Sequence, residues 1–535
     1  MTRIALIADP HVHDCDWSPS GSGLRLAVRS YAETSASTRV FNESLPAFRA
    51  ALDRAAREDA RLVLLLGDLT DDGQAPNIRA ALALLDEYRT RYGMRFLATP
   101  GNHDFFAVAG RPQIKGFVDA MGGAVIVDSA TLLDAATLGA EPALRMMEGL
   151  GYLPAPGDLH WETPFGPDPD WSARRHDVVS ADGLSSCAII DASYLVEPIE
   201  GLWVLSLDAN VCVPRNGARD LADPASFHDP SNTGWSAVLR HRPHLLQWMT
   251  DVAERARKGG KRLIAFSHYP VLDPLGGASA DEVALFGATG LARRAPPPEV
   301  AQAFAATGVR VHFSGHLHVN DTAQDQSGLV NIAVPSPVGF PPALKMLDAD
   351  ACGMTFRTLP LTDVPGHDGA FGAYRAEAMC EGRQPPAASR ATDHAAFLDH
   401  HLADIVMGRY LPREWPEGMA AFVRQGRLAD LAVLLGHSPA AAPDGSMVDF
   451  ACDWYRLRKG GEMALPYIAA PRLAFYRTLT LRRPDADPSG LVGGFAALLR
   501  ILHAYLYRLP NRDFRLDDDL GVAALQGRTV RRQTT

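Results

Sequence analysis

Nine side chains able to bind a cation or move a proton fall in five short clusters: Asp9-Pro10-His11, Gly67-Asp68, Gly101-Asn102-His103-Asp104, Ser267-His268 and Gly315-His316-Leu317-His318. Singly, most have ordinary explanations. A D-x-H or Gly-Asp after a strand caps a turn, and a lone histidine usually sits satisfied in a core or loop. GNHD is sharper, because nothing beyond its first two residues suits a turn. GHxH places two imidazoles on one face of an extended segment. Together the five clusters offer carboxylate, imidazole and carboxamide donors without a thiolate, a set suited to Mn²⁺, Fe, Zn²⁺ or Mg²⁺. Two such cations about 3.5–4 Å apart can clamp phosphoryl oxygens and activate a water. One carboxylate must then bridge them, with Asp68 the central candidate. In-line attack further needs a proton for the departing alkoxide.

Each cluster follows a strand-like run, and it is the strands that must bring them together. The runs are Ile4–Ala8, Leu62–Leu66, Met94–Ala98, Leu202–Leu207, Leu263–Phe266 and Val309–Phe313, short and continuously apolar as in sheets covered on both faces. Helical segments alternate with them, at Leu45–Glu58, Ile78–Tyr92 and Trp235–Arg257, which predicts an α/β layered fold. Ligands in such folds gather beyond the carboxyl ends of strands. Two stretches break the rhythm, about 14–42 and an insertion at about 105–202, both read as loops or small caps. Strand character ends after Met354–Leu359. Helical patterns follow at Ala395–Tyr410, Pro416–Leu435, Met447–Lys459, Tyr467–Arg482 and Leu491–Leu509, with Gly382 to Pro386 as linker. The division expected is a catalytic domain over 1–362 and an all-helical region over 363–535.

Composition narrows the function classes. A hydrophobic fraction of 47% and a charged fraction of 21% are those of a soluble protein. A formal net charge of −10 argues against a nucleic-acid partner. The six cysteines show no CxxC pairing, which suits a reducing compartment. Ile4–Ala8 is too short for a signal peptide, and Leu491–Leu509 carries Gly493, Gly494, Arg500 and His503, better suited to a buried helix than a bilayer span. The expectation is a cytoplasmic protein with no membrane partner and with a helical tail able to support a homo-oligomer.

The full pattern D-x-H, GD, GNHD, H, GHxH resembles the calcineurin-like metallophosphoesterases over about residues 1–360. That resemblance implies a sandwich of two mixed sheets flanked by helices (α/β/β/α). It also implies two metal ions, manganese or iron ahead of zinc or magnesium. Asp9, His11, Asp68 and His318 would hold the first metal, and Asp68, Asn102, His268 and His316 the second. His103 would be the general acid or phosphate contact, oriented by Asp104. Leu69-Thr70-Asp71-Asp72 lacks the tyrosine of purple acid phosphatases and the Asp-Arg-Gly of protein Ser/Thr phosphatases. GDLTDDG, Leu207-Asp208-Ala209-Asn210 and GHLHVND are most similar to the class III cyclic-nucleotide phosphodiesterase branch.

The expected activity is therefore hydrolysis of a small-molecule phosphodiester, a cyclic nucleotide or a glycerophosphodiester. The alternatives are a phosphomonoesterase or nucleotidase, a nuclease with the same ligands, and a scaffold that has lost the chemistry. Intact ligands weigh against the last, since buried unpaired carboxylates are costly. His13 is expected beside the site without joining it, and adjacent His400 and His401 face different ways on a helix. Tyr194 and His160 in the insertion are candidates to shape the pocket.

Overall fold

A computed structural model describes residues 2–19, 21–350, 352–482 and 490–525. Its architecture is mixed α/β, with two seven-stranded sheets flanked by helices. The first sheet runs, edge to edge, 522–524, 513–517, 353–360, 343–350, 2–7, 62–65, 95–98. The last three strands are parallel, and Thr2–Ile7 pairs antiparallel with Ala343–Asp350. The second sheet runs 321–324, 330–333, 311–314, 262–267, 202–207, 194–199, 160–162, with a parallel centre. Leu62–Leu65 and Leu202–Leu207 are buried at every residue, as continuous apolar runs require.

The sheets are stitched where their site-bearing ends meet. Thr99 Oγ1 donates to Leu207 O at 2.9 Å, and Ser206 Oγ and Tyr194 OH donate to Ala98 O at 3.0 and 2.9 Å. Tyr194 is thus a buried strut, its hydroxyl donating to Ala98 O and Leu150 O. His160 stacks on Trp203 and pairs with Glu162. The insertion is more regular than its composition suggests. It contains hairpins at 114–128 and 175–190 and contributes strands 160–162 and 194–199 to the second sheet.

Two expected helices are broken. Trp235–Arg257 is a pair, Gly234–His241 and Pro243–Lys258, because Pro243 forces Arg242 out of helical geometry. Pro416–Leu435 divides at Gly426 into Glu417–Gln425 and Leu428–Leu434. The expectation of an all-helical C-terminal region is corrected at its end. Asp513–Asp517 pairs antiparallel with Gly353–Pro360, and Val522–Ala524 pairs with it in turn. Before them, helices His394–Ile405, Met447–Gly460 and Gly490–Leu506 pack into the same core as the first sheet.

Polar anchors tie this region to the first sheet and to helix Ser279–Phe286. Buried Lys345 donates to Asn320 Oδ1, Thr358 Oγ1 and Asn511 O, and Arg458 Nε donates to Glu282 Oε1 at 2.8 Å. Among the described residues no helix is long and apolar enough to cross a membrane.

Candidate metal centre

Five strand ends converge as the sequence requires. Thr2–Ile7 leads to Asp9 and His11, Leu62–Leu65 to Asp68, and Arg95–Ala98 to Asn102. From the second sheet, Arg262–Ser267 delivers His268, and Val311–Ser314 delivers His316 and His318. All seven are buried, none more than 5% exposed. The turns are tight enough to hold Asp9, His11, Asp68, His316 and His318 at φ between 45° and 70°. Non-glycine residues rarely adopt that region, and it concentrates at functional sites where surroundings over-determine the backbone.

The neighbouring glycines leave room for the carboxylates. A Cβ on Gly101 would strike Asp68 Oδ1, one on Gly315 would strike Asp9 Oδ2, and one on Gly67 would lie 2.7 Å from His268 Nδ1.

Two donor sets result, Asp9–His11–His318 and Asp68–His268–His316. In the first, His11 Nε2 and His318 Nε2 are 3.1 Å apart and His318 Nε2 lies 3.5 Å from Asp9 Oδ1. In the second, His268 Nε2 lies 3.1 Å from His316 Nδ1, 3.1 Å from Asn102 Oδ1 and 3.2 Å from Asp68 Oδ2. Asp68 Oδ2 also reaches to 3.6 Å from His11 Nε2, so one carboxylate oxygen faces both sets.

These residues fit divalent cations. Ligand atoms about 2.0–2.2 Å from a metal stand about 3.0–3.5 Å from one another across a coordination edge, as here. Hydrogen bonding also frees the right nitrogens. His268 Nδ1 donates to Leu66 O and His316 Nε2 to Ser231 O, leaving His268 Nε2 and His316 Nδ1 as facing lone pairs that need positive charge between them. Burial, and for His11 also Arg39, holds the His11, His316 and His318 rings below the usual imidazole range, hence neutral and able to ligate. Burial would lower His268 too, but the Asp68 carboxylate outweighs it and raises that ring to about 9. The carboxylate that would attract a cation attracts a proton as well.

His103 stands at the mouth of this cluster. Its backbone N–H donates to Asp68 Oδ1 at 2.7 Å, and its ring packs edge-on to His11 with centroids 5.1 Å apart. The expectation that Asp104 orients it is corrected. Asp104 is buried and turned inward, accepting from Gly101 N at 2.8 Å and from Thr70 N at 3.0 Å. It ties the Gly-Asp turn to the Gly-Asn-His turn, and burial with Asp68 pushes it up to about 6.

The imidazole is held instead by Asp72, whose Oδ1 is 2.7 Å from His103 Nδ1. That contact puts the proton on Nδ1 and leaves Nε2 without a partner among the described residues. Asp72 sits in a charged frame with Lys115, Arg39 and Arg111, while Asp71 pairs with Arg29, Arg39 and Lys115. The third Asp of GDLTDDG, Asp72, was the available signal for this partner.

Asn210 of the LDAN segment donates to Gly101 O and so supports the ligand turn from below. His13 bonds Ala27 O and, buried, falls to about 4. His401 bonds Thr34 O in a separate part of the core.

A buried pair of His/Asp donor sets sharing one carboxylate at the strand ends, with a free imidazole nitrogen beside them, defines a metal-dependent phosphoesterase. The chain belongs to the calcineurin-like phosphoesterases, whose family model matches residues 2–320. Solved structures similar to it include a dimetal phosphatase from Danio rerio, at 15% identity over 67% of this chain and 95% of that one, with a TM-score of 0.37. Another is the phosphopantetheinyl hydrolase of Mycobacterium tuberculosis, at 12% identity over 63% of this chain and 90% of that one, with a TM-score of 0.25. No curated protein matches the chain. The family match does not single out the class III phosphodiesterase branch.

Proposed function

We propose that the chain hydrolyses a phosphodiester bond in a small molecule, a cyclic nucleotide or a glycerophosphodiester. Asp9, His11, Asp68 and His318 hold one divalent ion in this reading, and Asp68, Asn102, His268 and His316 the other. The observation that carries it is the position of Asp68 Oδ2, 3.6 Å from His11 Nε2 and 3.2 Å from His268 Nε2. When bound, the two cations polarise the phosphoryl group and lower the pKa of a water. The oxygen and nitrogen donors suit manganese, iron, zinc or magnesium, and the family resemblance puts manganese or iron first.

The remaining work falls to the chain. Asp72 accepts from His103 Nδ1–H, so that a proton carried on Nε2 points toward the departing alkoxide and can be given to it, the ring ending neutral with its Nδ1–H kept. Asp68 accepts the His103 N–H through Oδ1, so ligand loop and acid loop move as one unit. Two clefts of about 50 Å³ lie near the centre, one lined by His316 and His318 and one by Ser231, whose carbonyl accepts from His316. Six free cysteines support a cytoplasmic setting.

The test is hydrolysis of bis(p-nitrophenyl) phosphate, p-nitrophenyl phosphate, cyclic nucleotides and glycerophosphodiesters by protein loaded in turn with Mn²⁺, Fe²⁺, Zn²⁺ and Mg²⁺. Preference for diesters is expected. Faster turnover of the monoester would overturn the diester reading in favour of a phosphomonoesterase.

A further inference from the structure

The cations around the centre are unequally matched. On the GDLTDDG side, Arg29, Arg39 and Lys115 are all paired with carboxylates. On the opposite side, His316 and His318 form one wall of a cleft whose other walls carry Arg294, Arg409 and Lys459. None of these three has a carboxylate within 4 Å among the described residues, and their hydrogen bonds go to neutral acceptors. Arg294 Nε donates to Asn232 Oδ1 at 3.4 Å, Arg409 Nη1 to Ala36 O at 3.0 Å and Lys459 Nζ to Leu317 O at 2.9 Å. Arg458 also lines the cleft, but its charge is matched by Glu282. Glu414 is the one acid on the walls.

Two unmatched guanidiniums, with Lys459 held down to about 7 by burial and then by Arg458, against one acid leave an excess of positive charge beside the donor sets. Two bound divalent ions, facing only the carboxylates of Asp9 and Asp68, would add to it. Like charges in a partly dry cleft repel, so the arrangement favours a bound anion of more than one charge. The cleft volume of about 50 Å³ holds a few waters or a single tetrahedral oxyanion. Guanidinium and ammonium groups together suit phosphate oxygens. Arg409 and Lys459 lie outside the matched family segment, so this part of the pocket is built by the C-terminal region.

We infer that this cleft is an anion subsite for a second phosphoryl group, so that the substrate carries a phosphate beyond the one attacked. This rests on the reading of the centre as a phosphoesterase. The second phosphate can be adjacent, as in a diphosphate ester, or separate, as in a bisphosphate.

The test measures kcat/KM of the metal-loaded protein on a phosphodiester, its diphosphate analogue, and analogues bearing a separate terminal phosphate or carboxylate. A phosphate-bearing substrate should be favoured by about 10–100-fold, the worth of a charged hydrogen bond. Arg409→Ala and Arg294→Gln should each bring that ratio toward one, and Arg409→Glu should invert it. Arg409 is half-buried and bonded only to a carbonyl, so these variants should fold, with circular dichroism as the check. Preference for the diphosphate or for the bisphosphate supports the subsite and tells which source fills it. A ratio near one in the unmodified protein, equal preference for the carboxylate, or a ratio that survives all three substitutions overturns it. Hydrolysis of none of the esters would instead refute the phosphoesterase reading.

Discussion

Asp72→Asn isolates the proton-delivery role from metal binding. The carboxylate meets His103 Nδ1 at 2.7 Å; Arg39 also approaches Nδ1, at 3.3 Å, and the His11 ring lies edge-on with centroids 5.1 Å apart. An asparagine keeps the shape and one acceptor oxygen but loses the negative charge to which Nδ1–H donates. A hydrogen bond to a charged partner contributes about 1.5–3 kcal/mol, which converts to about a 10–100-fold loss of kcat. The scaffold should survive, because Lys115 keeps its 2.7 Å contact with Asp71 and Arg39 keeps its own. Neither donor set includes Asp72, so metal content should stay at two ions per chain by plasma emission spectrometry. The decisive comparison is between leaving groups. A p-nitrophenolate leaves with little need of a proton, so the defect should shrink several-fold against that seen with an alkyl ester. Equal defects on both substrates, or a loss of metal, would refute the assignment of Asp72 and His103 to leaving-group protonation.

Asp68→Ala should empty both sites, since its oxygen faces each donor set, and should abolish turnover; retention of one tightly held ion would contradict the bridging role. Gly315→Ala drives a methyl group against the Asp9 carboxylate and within 3.1 Å of Ala8 Cβ and Leu66 O, so metal stoichiometry should fall from two toward one, read by the same spectrometry. Glu43→Gln should stabilise the fold in a pH-dependent way. Burial raises this carboxyl from 4.5 to about 8, against a hydrogen bond from Tyr374 that lowers it. The folded chain therefore keeps a proton that the unfolded chain releases above pH 4.5, and stability falls as pH rises from there toward 8. Glutamine removes a cost of up to about 3 kcal/mol at pH 7 and almost nothing at pH 4.5; urea unfolding that gives the same difference at both pH values would exclude this account.

The donor atoms were legible because ligand chemistry is written in residue type and the strands that aim them are continuous apolar runs. Their placement after Ile7, Leu65, Ala98, Ser267 and Ser314 needs no long-range information beyond the sheet order. The partner of His103 was not legible from adjacency. Successive residues in a turn point different ways, and Asp104 turns back to Gly101 N while Asp72 arrives from another loop. Arg294, Arg409 and Lys459 carry no local signal, since single basic residues on helices and loops usually face water. The break at Pro243 could be read from the proline alone, whose fixed ring excludes helical geometry at Arg242. The return of Asp513–Asp517 rests on a polar/apolar alternation with Phe514 and Leu516 buried, a pattern only five residues long that the helical run before it masks.

That returning strand makes residue 362 a poor place to cut. Thr358 N is tied to Asp513 Oδ1 across 155 residues of chain, so the outer rim of the ligand-bearing sheet closes only once the helices between have been synthesised and folded. A shortened chain would present Gly353–Pro360 as a bare row of peptide groups, an invitation to pair with another molecule. Expression of residues 1–362 alone should therefore give aggregates, and activity trials on this protein belong to a chain that keeps the returning strand Asp513–Asp517.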